Sequence, residues 1–138
     1  MDVNTKFVQT LQRDFPDFTF RSSSRFRFHP PKTIYYNLKT PSNSFSLQLL
    51  HELGHALSSH KDYTVDIERL KMEREAWEKA HILCDTYHIP FDSDFVEDAL
   101  DTYREWLHKK SLCKTCGLTR AQSPDGKYHC PRCETFSL

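Results

Sequence analysis

The spacing of apolar residues divides the chain into stretches of helical period and stretches of strand period. In NTKFVQTLQRD, residues 4–14, Phe7, Val8 and Leu11 recur at helical spacing, which predicts a short amphipathic helix ending before Pro16. After Phe18 the texture changes to short aromatic and β-branched runs, FTF, RFRFH and TIYYN, parted by SSS and Pro30-Pro31. These predict two or three strands of a small sheet. The alternation Arg25-Phe26-Arg27-Phe28 gives one strand an apolar face and a basic face. The turn-forming link LKTPSNS, residues 38–44, offers Ser42 or Ser44 as the cap of the next helix. That helix, FSLQLLHELGHALSSH, has Leu47, Leu49, Leu50, Leu53 and Ala56 to bury. A second runs from about Val65 to Tyr87, with Met72, Ala76, Ala80, Leu83 and Tyr87 within one face, and Ile89-Pro90 stops it. A third, FVEDALDTYREWLHKK, is opened by Asp92 or Ser93 and repeats Val96, Leu100, Tyr103 and Leu107 at three-and-four spacing. The expected fold class is α+β: an N-terminal helix, a short antiparallel or mixed sheet and three further helices over residues 1–109. Residues 110–138 form an appendage without helical period.

Composition narrows the function. A chain of 138 residues has room for one compact domain and a small addition. Its three glycines, Gly54, Gly117 and Gly126, cannot assemble a phosphate-cradling loop, which excludes P-loop and Rossmann chemistry. No apolar run approaches the ~20 residues of a membrane span, and the start MDVNTKFVQTLQRDF lacks the pattern of a signal peptide. Four of the five cysteines stand in two C-x-x-C pairs, which suits metal-bound thiolates in a reducing compartment, so the expectation is a cytoplasmic protein without membrane contact. The fifth, Cys84, is expected in the core. The zero net charge is unevenly spread: residues 61–108 carry 6 basic and 13 acidic groups, residues 109–138 carry 6 and 2.

The first candidate chemistry is His51-Glu52-Leu53-Gly54-His55, an H-E-x-x-H on a helix. Residues four apart lie about 40° from each other, so both imidazoles can meet one Zn²⁺. Glu52 is placed to take a proton from water at the ion. Random order of eight His and eight Glu would yield the motif about 0.03 times, and burying these groups without a metal would be costly. A third ligand is required. His60 is about 180° round a continued helix from His51, so it is expected to point away, towards the surface or the helix end. It also misses the longer histidine spacing by one residue, with Ser58 at the glycine position. Glu68, Glu73, Glu75 and Glu78 of the second long helix remain. Measured from Ala76, Glu73 lies about 60° to one side and Glu75 about 100° to the other, so Glu73 is nearer the buried face and Glu75 is the runner-up.

HELGHAL, followed by Glu73-Arg74-Glu75-Ala76 and Ala80, resembles the ImmA/IrrE family of gluzincin-type metallopeptidases, whose second helix reads roughly E-x-x-A-N-x-F-A. With TIYYN as the strand leading to the motif, the resemblance covers residues 33–88. The chain carries Trp77 where that family favours Asn or Asp, and Lys79 where it favours an aromatic residue. The resemblance implies a small zincin-like domain in which Glu73 takes the metal-binding glutamate position. It further implies hydrolysis of a peptide bond in a protein or peptide substrate, with His51, His55 and Glu73 on a catalytic Zn²⁺ and Glu52 as general base. An oxyanion stabiliser is also needed, and Tyr63, His81, Tyr87, His88 and Tyr103 are all candidates. By analogy, substrate is expected to add as a strand to an exposed edge such as TIYYN.

The second candidate is Cys113-x2-Cys116-x13-Cys130-x2-Cys133, the spacing of a four-thiolate zinc ribbon. Gly117 and Pro131 shape the knuckles, SPDG turns between two short strands, and four thiolates make a closed, structural Zn²⁺ site. Lys109, Lys110, Lys114, Arg120, Lys127 and Arg132, with Tyr128 and His129 available for stacking, make the ribbon a candidate contact for nucleic acid or a protein partner. The leading expectation is a zinc metalloendopeptidase whose ribbon recognises a substrate or partner. One alternative is an SprT-like nucleic-acid-associated protease, which would need a third histidine. His81 and His88 lie about 140° and 120° from the apolar centre of their helix. The other alternative is a non-catalytic zinc-binding regulatory module.

Overall fold

Asp2 starts the first helix: its carboxylate accepts the Thr5 N–H at 2.7 Å, a side-chain cap in the position where an acidic group also favours the helix dipole. In the computed structural model, which describes residues 2–136, helix α1 then runs Val3–Asp14. The outermost positions of the two expected ranges, 1 and 138, lie outside the described residues. Three strands follow, β1 Thr19–Ser22, β2 Arg27–His29 and β3 Thr33–Tyr36, then helices α2 Ser42–Leu57, α3 Asp66–Tyr87 and α4 Ser93–Ser111. A two-stranded ribbon, β4 Ala121–Gln122 and β5 Tyr128–His129, and a short α5 Cys133–Phe136 complete the order. Together these are the small α+β domain and appended ribbon expected from the periodicity. Among the described residues, no helix is long and apolar enough to cross a membrane.

The chain forms two compact units, one of residues up to 61 with 74–92, the other of 62–73 with the residues from 93 onward. In the first, α2 supplies the core: Phe45, Leu49, Leu50 and Leu53 are fully buried, and Phe45 meets Phe26, just before β2, and Tyr36 of β3 edge-on. Phe26 and Phe28 are half-buried while Arg25 and Arg27 are exposed, as their alternation requires. The sheet is mixed, in the order β1-β3-β2, with Phe20 paired to Ile34 in parallel and Phe28 paired to Ile34 in antiparallel sense. This corrects the expectation that TIYYN offers an open edge. Both rows of its backbone donors and acceptors are already used, and the edges are β1 and β2. Neither Ser42 nor Ser44 caps α2. Pro41 occupies the cap position, so both serines fall inside the first turn, and Ser44 Oγ donates back to the Pro41 carbonyl at 3.2 Å.

Both long helices of this unit end in a left-handed residue that is not glycine. At the end of α2, Ser59 has φ 55°, its N–H donates to Ala56 O at 3.1 Å, and His60 N–H donates to His55 O at 3.2 Å. This pair of bonds is a Schellman motif. At the end of α3, His88 has φ 56° and Ile89 N–H donates to Cys84 O at 2.9 Å. Pro90 therefore follows a stop already made by His88. Cys84 is buried, and burial pushes its thiol up to about 11, the behaviour of a core residue.

Gly54 fixes how closely α2 and α3 cross. A methyl group built there would overlap the Ala76 carbonyl oxygen and stand 3.1 Å from the Ala76 carbonyl carbon. Gly54→Ala is therefore expected to lower stability by about 1–3 kcal/mol, the usual cost of overpacking, despite alanine's better helix propensity. Chemical denaturation measures it, and an unchanged midpoint would contradict this close approach.

In the second unit α4 buries Val96 and Leu100, and the ribbon is tied to the first turn of α3 through Asp66. The buried Asp66 carboxylate accepts from Tyr128 Oη at 2.6 Å and pairs with Lys110 Nζ at 3.1 Å, while its backbone N–H donates to Gln122 Oε1 at 2.6 Å. Burial works against its ionisation, but the Tyr128 hydroxyl and the Lys110 ammonium together hold the carboxyl below its ordinary range. Gln122 Nε2 in turn donates to Gly126 O at 2.7 Å, closing the SPDG turn, where Gly126 adopts φ 90°.

Candidate metal centres

One buried helix presents the first centre. His51 and His55 lie one turn apart on α2, with ring centroids 4.7 Å apart. Trp77, next to the Ala76 that abuts Gly54, stacks on His51 with centroids 3.9 Å apart and planes at 21°. Glu73 stands one turn before Trp77 on α3 and is buried. A ligand atom from each of His51, His55 and Glu73 lies within 4.8 Å of the others. Two imidazoles converging on a buried carboxylate are a donor set that suits a divalent cation. Glu52, half-buried, follows His51 on the same helix.

The structure places the other candidates elsewhere. Glu75, the runner-up, accepts a hydrogen bond from His60: its Oε2 lies 2.9 Å from His60 Nε2. His60 itself corrects the helical extrapolation. It is buried, and its Nδ1 lies 2.9 Å from His55 Nδ1, because α2 ends at Leu57 and the Schellman turn at Ser59 folds the chain back. Glu68 lies in the first turn of α3, and Glu78 pairs with Arg74 at 3.7 Å on the exposed face. Among the candidate oxyanion stabilisers, Tyr87 Oη donates to Asp14 at 2.7 Å, and burial, reinforced by that bond, pushes its phenol up to about 12. His81 stacks on Phe91 at 4.1 Å, His88 occupies the left-handed turn, and Tyr103 lies under the Arg69 guanidinium. Tyr63 is half-exposed. Neither His81 nor His88 is among the donors that cluster with His51 and His55.

The four ribbon thiols converge as their spacing predicts. Cys113 Sγ and Cys133 Sγ are 3.8 Å apart, and Cys116 Sγ and Cys130 Sγ are 3.5 Å apart. The edge of a tetrahedron with ~2.3 Å metal–sulfur bonds is about 3.8 Å, so the cage already has the size zinc needs. Each knuckle points backbone donors at sulfur. The amides of Cys116 and Thr115 lower the Cys113 thiol to about 6, and Cys133 N–H lies 3.4 Å from Cys130 Sγ. Gly117 makes the first knuckle possible with φ 77° and a 2.8 Å bond from its N–H to Cys113 O. Of the basic groups, Lys110 is paired with Asp66, and Arg120 lies 4.7 Å over the Tyr128 ring while donating to Lys110 O at 2.8 Å. His129 Nε2 bonds Ser123 at 2.9 Å and its Nδ1 pairs with Glu134 at 2.9 Å. Lys109, Lys114, Lys127 and Arg132 are exposed.

Sequence reasoning missed three of these relationships. The His60–Glu75 contact depends on a turn without glycine, the Trp77–His51 stack on the crossing at Gly54, and the Asp66 tie on residues 44 to 62 positions away. Only the small residue at Gly54, in a helix otherwise rich in leucine, signalled a close helix crossing.

The sequence model of the IrrE N-terminal-like domain, a peptidase family, matches residues 14–109. No curated protein and no solved structure matches the chain.

Proposed function

The chain belongs to the family of IrrE N-terminal-like domains, and from that premise we propose that it is a zinc-dependent metalloendopeptidase acting on a protein substrate. The observation that carries this reading is the convergence of His51, His55 and Glu73 within 4.8 Å, beside Glu52 on the same helix as the two histidines. Zinc held by those three side chains would supply a Lewis acid that polarises the scissile carbonyl and acidifies water. Glu52 then acts as general base towards that water and passes the proton to the leaving amine. Trp77 restrains the His51 ring by stacking, and Gly54 lets the Ala76 backbone approach α2 closely enough to bring Trp77 there.

The ribbon holds the second, structural zinc through Cys113, Cys116, Cys130 and Cys133. Its exposed Lys109, Lys114, Lys127 and Arg132 form the surface by which it recognises the substrate or a partner protein. Nucleic acid is the other ligand such a surface fits. Salt-dependent DNA or RNA binding, lost when these four residues become Glu, would support that partner instead. A reducing cytoplasm is the compartment in which such a thiolate site persists.

Elemental mass spectrometry of zinc per chain tests the metal content. The expected result is two zinc ions in the wild type and one in folded His55→Ala. One zinc in both proteins would leave the ribbon as the sole metal site and remove the peptidase reading.

A further inference from the structure

The turn that ends α2 sets a side chain against one of the metal-site histidines. In a Schellman motif the residue after the left-handed position folds back over the helix residue five positions earlier, and an apolar contact commonly fills that space. Here the two positions are His60 and His55, and the space is filled by a hydrogen bond between ring nitrogens, Nδ1 to Nδ1 at 2.9 Å. The second nitrogen of His60, Nε2, lies 2.9 Å from Glu75 Oε2. His55, His60 and Glu75 therefore form a continuous line of hydrogen bonds, with His60 buried at its middle.

The protons along this line follow from what each group can do. The Glu75 carboxylate only accepts, so His60 Nε2 carries a proton and donates it. With one proton on each ring, His60 Nδ1 is an acceptor, and His55 Nδ1–H is its donor. The remaining nitrogen of His55, Nε2, then carries no proton, which is the form a metal requires. We infer that His60, oriented by Glu75, is a positioning residue that fixes the His55 tautomer and presents Nε2 to a divalent cation. The inference rests on the reading of His51, His55 and Glu73 as a cation site. Ligand histidines commonly give their second N–H to a carboxylate or carbonyl. In this chain a second imidazole stands between, so Glu75, which does not join the cluster of donors, still acts on the site at one remove.

The full chain, with its ribbon loaded, allows a direct test. Ring ¹⁵N shifts of the wild type with zinc on its ribbon alone are expected to show His55 protonated on Nδ1. Protonation on Nε2 would overturn the inference. Competition with a zinc chelator should then show His60→Ala binding zinc at this site about 10- to 100-fold more weakly. His60→Asn, whose Oδ1 can accept from His55 Nδ1–H, should recover most of that loss, and Glu75→Gln should weaken binding less than His60→Ala. Circular dichroism separates unfolding from altered affinity. Should His60→Ala fail to fold, the wild-type tautomer and the Asn and Gln variants decide the matter. Wild-type affinity and an unchanged His55 tautomer in His60→Ala would overturn this inference alone. A wild type that takes up zinc only on its ribbon would overturn the cation site itself.

Discussion

Glu52→Gln is expected to keep two zinc ions per chain and to lower peptide-bond hydrolysis by about 10²- to 10⁴-fold, the range supplied by a positioned general base. The reason lies in what the substitution spares. Glutamine has nearly the shape of glutamate, and position 52 is only half-buried on α2, so the helix should keep its packing. His51, His55 and Glu73, whose donor atoms lie within 4.8 Å of one another, are untouched by the substitution. What disappears is a basic oxygen one residue beyond His51. Because the substrate is open, the measurement is the set of new peptide amino termini that appear when the protein is added to a cell extract, read by terminal labelling and mass spectrometry. Termini produced by the wild type and missing with Glu52→Gln would establish turnover. Equal sets from both proteins would favour the regulatory module, in which the same residues hold zinc without chemistry.

The second large effect concerns the ribbon. Removing its zinc, by a strong chelator or by Cys130→Ala, is expected to unfold residues 112–136. Its strands are two residues long and its terminal helix four, and among the described residues its buried apolar side chains are Cys113 and Cys130 themselves. Structural zinc in such modules contributes about 10–16 kcal/mol of binding free energy near pH 7, most of which appears as folding. Loss of amide protection in the ribbon by hydrogen exchange is the readout. Acid should work in the same direction. Zinc requires thiolates, so its binding releases protons and weakens as pH falls. A ribbon that keeps its protection without metal would show that the Asp66 tie, not zinc, holds it.

Much of this arrangement was written locally in the sequence. The helices are legible because Phe7, Val8 and Leu11, or Val96 and Leu100, repeat at a period that only a helix satisfies. The pairing of Glu73 with the two histidines follows from helical angle, since 60° against 100° from the buried centre separates it from Glu75. The cysteine spacing specifies a tetrahedral cage in the same way. What escaped is non-local or falls just past an element's end. Four-residue strands carry no signal of which neighbour they take, so the central place of TIYYN could not be read from its composition. Continuing 100° per residue beyond Leu57 misplaces His60, because Ser59 makes a left-handed turn that usually announces itself with glycine. The role of Asp66 depends on Tyr128, 62 residues away, and no local pattern encodes such a contact.

Trp77, which sits where the family favours a small polar residue, has a practical consequence. The chain has two tryptophans, and the structure distributes them one to each compact unit: Trp77 on His51, Trp106 beneath Arg69 and Lys110. Indole emission responds to the charge and electron demand of whatever its ring faces. The protein therefore carries two separate optical reporters, and Trp106→Phe would leave a fluorophore that reads the state of the His51 imidazole without any added dye.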